Sequence, residues 1–154
     1  MLKKIVSGGQ TGADRAGLDA AIRHSIPHGG WIPKGRLTEN GPLPTLYKLQ
    51  EMTGSSYQAR TEQNVIDSDG TVIIAHGILK GGSALTRNFA QQHKKPCLFI
   101  DLNLLSTDQA VQDLKSWLGE TGLNILNIAG PRASKDPAIY QAVSNIFDNI
   151  LAEY

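Results

Sequence analysis

The chain has 154 residues, 40% hydrophobic and 19% charged, which excludes wholesale disorder and fits one compact domain over residues 1–154. A net charge of +1 argues against the broad basic footprint that duplex nucleic acid demands. One cysteine, Cys97, excludes an internal disulfide, four scattered histidines make no zinc site, and no apolar run approaches the roughly 20 residues that cross a bilayer.

In chain order, residues 2–7 read as a short buried strand centred on Ile5 and Val6, stopped by Gly8 and Gly9. Their start lacks the apolar stretch and cleavage site of a signal peptide, so a cytoplasmic protein without a membrane anchor is expected. Residues 13–24 turn helical, with Leu18, Ala21 and Ile22 on one face, and Pro27 ends the run. A second strand is expected over 28–32. Residues 33–56 hold three prolines and several glycines without a period, too long for an ordinary connection and read as a functional loop. A helix over 57–68 then leads through Asp69-Gly70 into a β-branched strand over 71–75.

After Gly81-Gly82 a helix is predicted over 84–93, with Leu85 and Phe89 on one face and Pro96 beyond it. A fourth strand covers 97–102. Ser106 and Gln109 form a capping-box pattern ahead of the apolar stripe Ala110, Val111, Leu114, Trp117 and Leu118. A fifth strand over 125–129 ends at Gly130-Pro131-Arg132, and Asp136-Pro137 opens a last, strongly apolar-faced helix. Strict alternation of apolar strands and helices predicts an α/β fold, a Rossmann-like three-layer α/β/α arrangement. Its five-stranded, mainly parallel sheet is expected in the order 2-1-3-4-5, with strands one and three flanking the ligand crevice.

Both of those strands end in glycine-rich loops. Gly8, Gly9, Gln10, Thr11, Gly12, Asp14 and Arg15 bring bare backbone to one helix start, and Gly81, Gly82, Ser83 and Thr86 do so at another. Unpaired N–H groups and the positive end of the dipole attract an anion there, although a tight turn also needs glycine. The first loop is not GxGxxG and lacks the Lys-Ser/Thr of a P-loop. Asp14 either caps the dipole or binds a ligand hydroxyl, and Arg15 and Arg132 either pair with phosphate or are solvated. In the long loop, Trp31, Lys34 and Arg36, with Tyr47 beyond, suit a flat heterocycle bearing phosphate, against the alternative of a core tryptophan and solvated cations. Glu62 is a conceivable acid or base that Arg60 can instead neutralise. His28 and His76 can reach the crevice edge, and Cys97 reads as inert core. No metal-ligand set and no Ser-His-Asp order emerges. The expected partner is a small phosphate-bearing molecule bound by a homo-oligomer.

Val6-Ser7-Gly8-Gly9-Gln10-Thr11-Gly12-Ala13-Asp14-Arg15, His28-Gly29-Gly30-Trp31-Ile32-Pro33-Lys34-Gly35-Arg36, Arg60-Thr61-Glu62 with Asn64-Val65, Ser68-Asp69-Gly70-Thr71 and Gly81-Gly82-Ser83-Ala84-Leu85-Thr86 follow one another along the chain. Together they resemble the molybdenum cofactor carrier family over roughly residues 5–101. That family is similar to a wider Rossmann-like superfamily of lysine-decarboxylase-like phosphoribohydrolases and nucleotide-sensing domains. The resemblance implies a molybdopterin-type cofactor, or otherwise a nucleotide or another phosphate-bearing heterocycle. Phosphoribohydrolase relatives carry Pro-Gly-Gly-x-Gly-Thr and then a catalytic glutamate, whereas this chain has Arg87 and Asn88 there. The departure favours a carrier over an enzyme, with a nucleotide sensor or nucleotide-processing enzyme as the alternative and Asp14 or Glu62 as the only nearby acids.

Overall fold

The structure, a computed structural model, describes all 154 residues. In chain order the elements are β1 (Lys4–Val6), α1 (Ala13–Arg23), β2 (His28–Gly29), β3 (Trp31–Ile32), β4 (Leu37–Thr38), β5 (Gly41–Pro42), β6 (Gln50–Glu51) and α2 (Tyr57–Asp67). There follow β7 (Gly70–Ala75), α3 (Gly81–Gln92), β8 (Cys97–Asp101), α4 (Thr107–Thr121), β9 (Ile125–Ala129) and α5 (Ile139–Leu151). No helix is long and apolar enough to cross a membrane.

Five strands form one parallel sheet in the order β2-β1-β9-β7-β8. β7 explains the layers, because alternate side chains of a strand leave opposite faces and all six of its residues are buried. Val72 and Ile74 join the main core under α1, α4 and α5, which holds Leu114, Ile128, Val143, Ile146 and Phe147. Ile73 and Ala75 point the other way and pack with Leu79, Ala84 and Phe99. Helices α1 and α4 both pack on α5, and α2 packs on α3. The α/β/α layering is as expected.

The strand order departs from 2-1-3-4-5. β9, last in sequence, lies between β1 and β7, pairing Val6 with Asn127 and Ile73 with Ala129. Both faces decide this: Leu126, Asn127 and Ile128 are all buried, and α5 behind them carries seven buried residues. An edge position would have left that apolar surface in water. The two glycine-rich loops therefore do not follow adjacent strands, contrary to the expected crevice.

The expected strand over 28–32 breaks at Gly30, whose φ of +128° and close approach to the Ser7 carbonyl leave no space for a Cβ. β2 stays in the sheet, and β3 turns away to pair with β6. Residues 33–56 are folded rather than irregular. Their side chains Leu43, Tyr47 and Leu49 form a small core with Leu18 and Ile32. Arg36 organises the segment: its guanidinium donates to the carbonyls of Leu43 at 2.9 Å, Pro44 at 2.8 Å and Tyr47 at 2.7 Å. The Ser106 capping box forms as expected, with Gln109 N–H on Oγ at 3.2 Å and Ser106 N–H on Gln109 Oε1 at 2.9 Å. α3 starts at Gly81 rather than Ala84, so the glycine pair is the first helical turn itself.

Candidate ligand-binding site

A cavity of about 1470 Å3 opens at the carboxyl ends of β1, β9 and β7. This exceeds the roughly 300–1,000 Å3 of ordinary small-molecule sites and leaves room for a ligand with two distinct ends. The loop after β9 supplies Gly130, Pro131, Arg132, Lys135 and Asp136 between the two glycine-rich loops. The intruding strand thus adds a wall to the crevice instead of dividing it.

Of the sequence candidates, Gly8, Gln10, Asp14, Gly81, Gly82, Ser83 and Thr86 line the cavity. Gly9, Thr11, Gly12, Arg15, Trp31, Lys34 and Arg36 do not. Gly9 packs beneath Leu49, Leu43 and Ile32. Thr11 Oγ1 donates to Glu39 and accepts the Ala133 N–H at 3.1 Å. Arg15 lies over the Tyr47 ring at 5.2 Å, Trp31 Nε1 donates to Asp67 at 2.6 Å, and Lys34 is exposed. The guanidinium of Arg36 is spent on its own segment, and Tyr47 donates to Asp19 at 2.6 Å.

The two helix N-termini differ in what they offer. At α1 the Gln10 N–H donates to Asp14 Oδ2 at 3.2 Å, the Thr11 N–H to Gln10 Oε1 at 3.0 Å, and the Ala13 N–H to the Pro131 carbonyl at 3.2 Å. Gly12, at φ +81°, leaves no room for a Cβ beside that carbonyl. The chain itself takes up these three donors, and the N–H groups of Gly8 and Asp14, which also line the cavity, have no protein acceptor. α3 has no side-chain cap at Lys80 and no acidic residue in its first turn, and the N–H groups of Gly81 and Gly82 have no protein acceptor. A Cβ on either glycine would meet nothing within 4 Å. Lys80, Arg132 and Lys135 share the wall, so donors and positive charge converge on open space.

Away from that turn, Arg60 is only 7% exposed; its guanidinium donates to the Gly8 carbonyl and lies over the Tyr57 ring at 5.5 Å. Burial pushes the Asp14 carboxyl up to about 6, with Arg60, the Gln10 N–H, Arg15 and Arg132 pulling the other way. Burial likewise lowers Arg60, which Asp14 partly offsets. Glu62 does not meet Arg60; it accepts from His93 at 2.8 Å. His76 Nδ1 lies 2.6 Å from Asp136 Oδ2 in the cavity wall, whereas His28 accepts the Lys48 N–H at 3.1 Å outside it. Asn127, on central β9, forms part of the lining with its amide on Thr71 Oγ1 at 3.2 Å. Cys97 is half-buried on β8 outside the cavity, its thiol pushed up by burial. No group of His, Cys, Asp and Glu is arranged to hold a metal ion.

Arg60, Tyr57, Asn127, Lys135 and Asp136 are site residues that the sequence candidates omit. Arg60 alone carried a signal, as the first residue of the Arg60-Thr61-Glu62 motif. Tyr57 opens α2 beside Arg60, and Asn127, Lys135 and Asp136 arrive through β9 and the loop after it, whose place in the sheet local patterning does not give.

A parallel five-stranded sheet between helix layers, with a cavity at its carboxyl edge, defines a doubly wound, Rossmann-like α/β domain. The chain belongs to the circularly permutated YpsA SLOG family, cpYpsA, whose description matches residues 5–151. The permutation explains the strand order. Counted from β9, the sheet reads 3-2-1-4-5, the usual doubly wound order, with its first strand moved to the end of the chain. Among solved structures, the chain is similar to the crystal structure of a protein named "Putative molybdenum carrier protein" from Syntrophus aciditrophicus SB. The two share 61% identity over 96% of this chain and 93% of that one, with a TM-score of 0.94. No curated protein matches.

Proposed function

We propose that this chain binds a molybdopterin-type cofactor and carries it intact, seating its phosphate on the open N-terminus of α3. The observation that carries this reading is the pair of unpartnered N–H groups at Gly81 and Gly82, facing a cavity with Lys80, Arg132 and Lys135. The cavity suits the organic part of such a cofactor, because the buried, polar Asp14–Arg60 region lies beside Tyr57 and the phosphate donors lie on α3. A bound cofactor would supply the metal; no thiol of this chain lines the cavity, so its oxo groups would be held by Arg132 and Lys135. The name of the similar protein from Syntrophus aciditrophicus supports the same class of ligand.

Gly82→Asp tests the reading by placing a carboxylate in the cradle, where it repels an anion and takes up its space. Calorimetry with a phosphate-bearing pterin on the folded variant is expected to show no binding. Unchanged affinity would remove α3 from the site.

A second reading, a nucleotide-processing enzyme, is favoured by the His76–Asp136 pair, in which a carboxylate orients an imidazole at the cavity wall. Against it, the position of the relatives' glutamate holds Asn88, which lines the cavity as an amide, and Arg87. Incubation with nucleoside monophosphates separates the readings: a carrier returns them intact, and an enzyme releases a free base.

A further inference from the structure

Asp14 is 9% exposed, lines the cavity, and accepts a single protein hydrogen bond, from the Gln10 N–H on Oδ2. Its other oxygen, Oδ1, has no protein partner and is not sealed from the cavity. The neighbouring Arg60 forms no ion pair with it, since one guanidinium nitrogen donates to the Gly8 carbonyl and its remaining donors have no protein acceptor. A buried carboxylate with a free lone pair is costly unless something pairs with it. Dipole capping accounts for Oδ2 and leaves Oδ1 without a purpose.

We infer that Asp14 and Arg60 read the edge of the ligand's heterocycle and select a 2-amino-4-oxopyrimidine ring, the edge shared by pterins and guanine. This rests on the phosphate-bearing heterocycle proposed above and adds which ring is accepted. A carboxylate only accepts, and this edge presents a ring N–H beside an exocyclic NH2, two parallel donors that match the free Oδ1 and the second lone pair of Oδ2, whose first takes the Gln10 N–H. The same ring carries a carbonyl next to that N–H, an acceptor for the spare guanidinium donors of Arg60. Adenine offers one amino group flanked by ring nitrogens that are themselves acceptors, so one carboxylate oxygen would face a lone pair. Tyr57, over which the guanidinium lies, helps to hold that donor in place.

The test is a calorimetric series on the wild-type protein with 6-hydroxymethylpterin phosphate, GMP, AMP and ribose 5-phosphate. The pterin phosphate and GMP are expected to bind roughly 10- to 100-fold more tightly than AMP, the discrimination typical of one bidentate pair. The stronger of the two identifies a cofactor or a nucleotide as the source of the ring, and either supports the inference. In Asp14→Asn, which offers one acceptor and one donor, the preference is expected to fall to within a few-fold while ribose 5-phosphate binds as before. Equal wild-type affinities for GMP and AMP, both abolished by Gly82→Asp, would overturn the ring selection and leave the phosphate reading standing. Absence of binding by every probe would overturn both. The wild-type series decides the matter even if a variant fails to fold.

Discussion

Two glycine-rich loops meet the same cavity, yet the N-terminus of α1 is largely taken up by the chain, which binds the Gln10, Thr11 and Ala13 N–H groups, and that of α3 is open. In the first, glycine lets other backbone come close: Gly12 accommodates the Pro131 carbonyl and Gly9 the side chains of residues 33–56. In the second, nothing approaches Gly81 or Gly82, although both stand where helix donors converge. One compositional signal thus has two physical causes, and the second leaves a helix start with no side-chain cap and open space around its donors. Three substitutions probe this difference, beginning with the one of largest effect.

Gly12→Ala should destabilise the protein by about 3 kcal/mol or more. Its φ of 81° and ψ of −128° lie where L-residues rarely go, and the new methyl would strike the Pro131 carbonyl that accepts from Ala13. Urea unfolding followed by circular dichroism measures this. A loss below about 0.5 kcal/mol, the scatter of ordinary surface substitutions, would mean that the α1 terminus is not closed by the loop after β9.

Little of that contrast is legible in the sequence. The run from Ser7 to Arg15 declares a glycine turn before a helix, because turn chemistry and helix periodicity are local. Which N–H remains free depends on Pro131, brought there only when β9 enters the sheet. Strand existence was readable throughout the main sheet, whereas strand neighbours follow from long-range packing. The clue available was the apolar density of 125–129 and of the helix after it, the mark of a central strand. Residues 33–56 looked irregular because their order comes from Arg36 binding carbonyls, which leaves no hydrophobic period. Trp31 and Arg36 had the right chemistry for a heterocycle, but Asp67 and the carbonyls of Leu43, Pro44 and Tyr47 take up their donors.

Asp14→Asn is expected to stabilise the ligand-free protein at neutral pH by up to about 3 kcal/mol, from a shift of roughly two pKa units. The carboxyl is raised from 3.8 to about 6 by burial, against the pull of Arg60, the Gln10 N–H, Arg15 and Arg132. Stability associated with its protonated form is therefore fully present below pH 3.8 and lost as pH rises through 6. The gain in the variant should accordingly be absent near pH 3.5, grow between about pH 4 and 6, and level off above. Asn retains an acceptor for the Gln10 N–H, which keeps the comparison to one charge. Denaturation at pH 4 and pH 8 checks the sign; destabilisation at pH 8 would show that the carboxylate is held by the fold rather than kept for a ligand.

Gly82→Ala is the gentlest change and separates stability from binding. Gly82 lies in the first turn of α3 with open space around its Cα and no positive φ, so alanine fits and removes unfolded-chain entropy. Stability should rise by about 0.5 kcal/mol. The methyl nevertheless stands beside the two free N–H groups, where a phosphate oxygen must come within about 3 Å. Affinity for a phosphate-bearing ligand should then fall while the thermal midpoint of the free protein rises slightly. A residue that serves only a turn would show the opposite pattern, lower stability with unchanged affinity, which is the behaviour expected of the glycines around α1. The two readouts on this variant thus measure directly whether the α3 terminus is kept open for a ligand or is simply a helix start that happens to contain glycine.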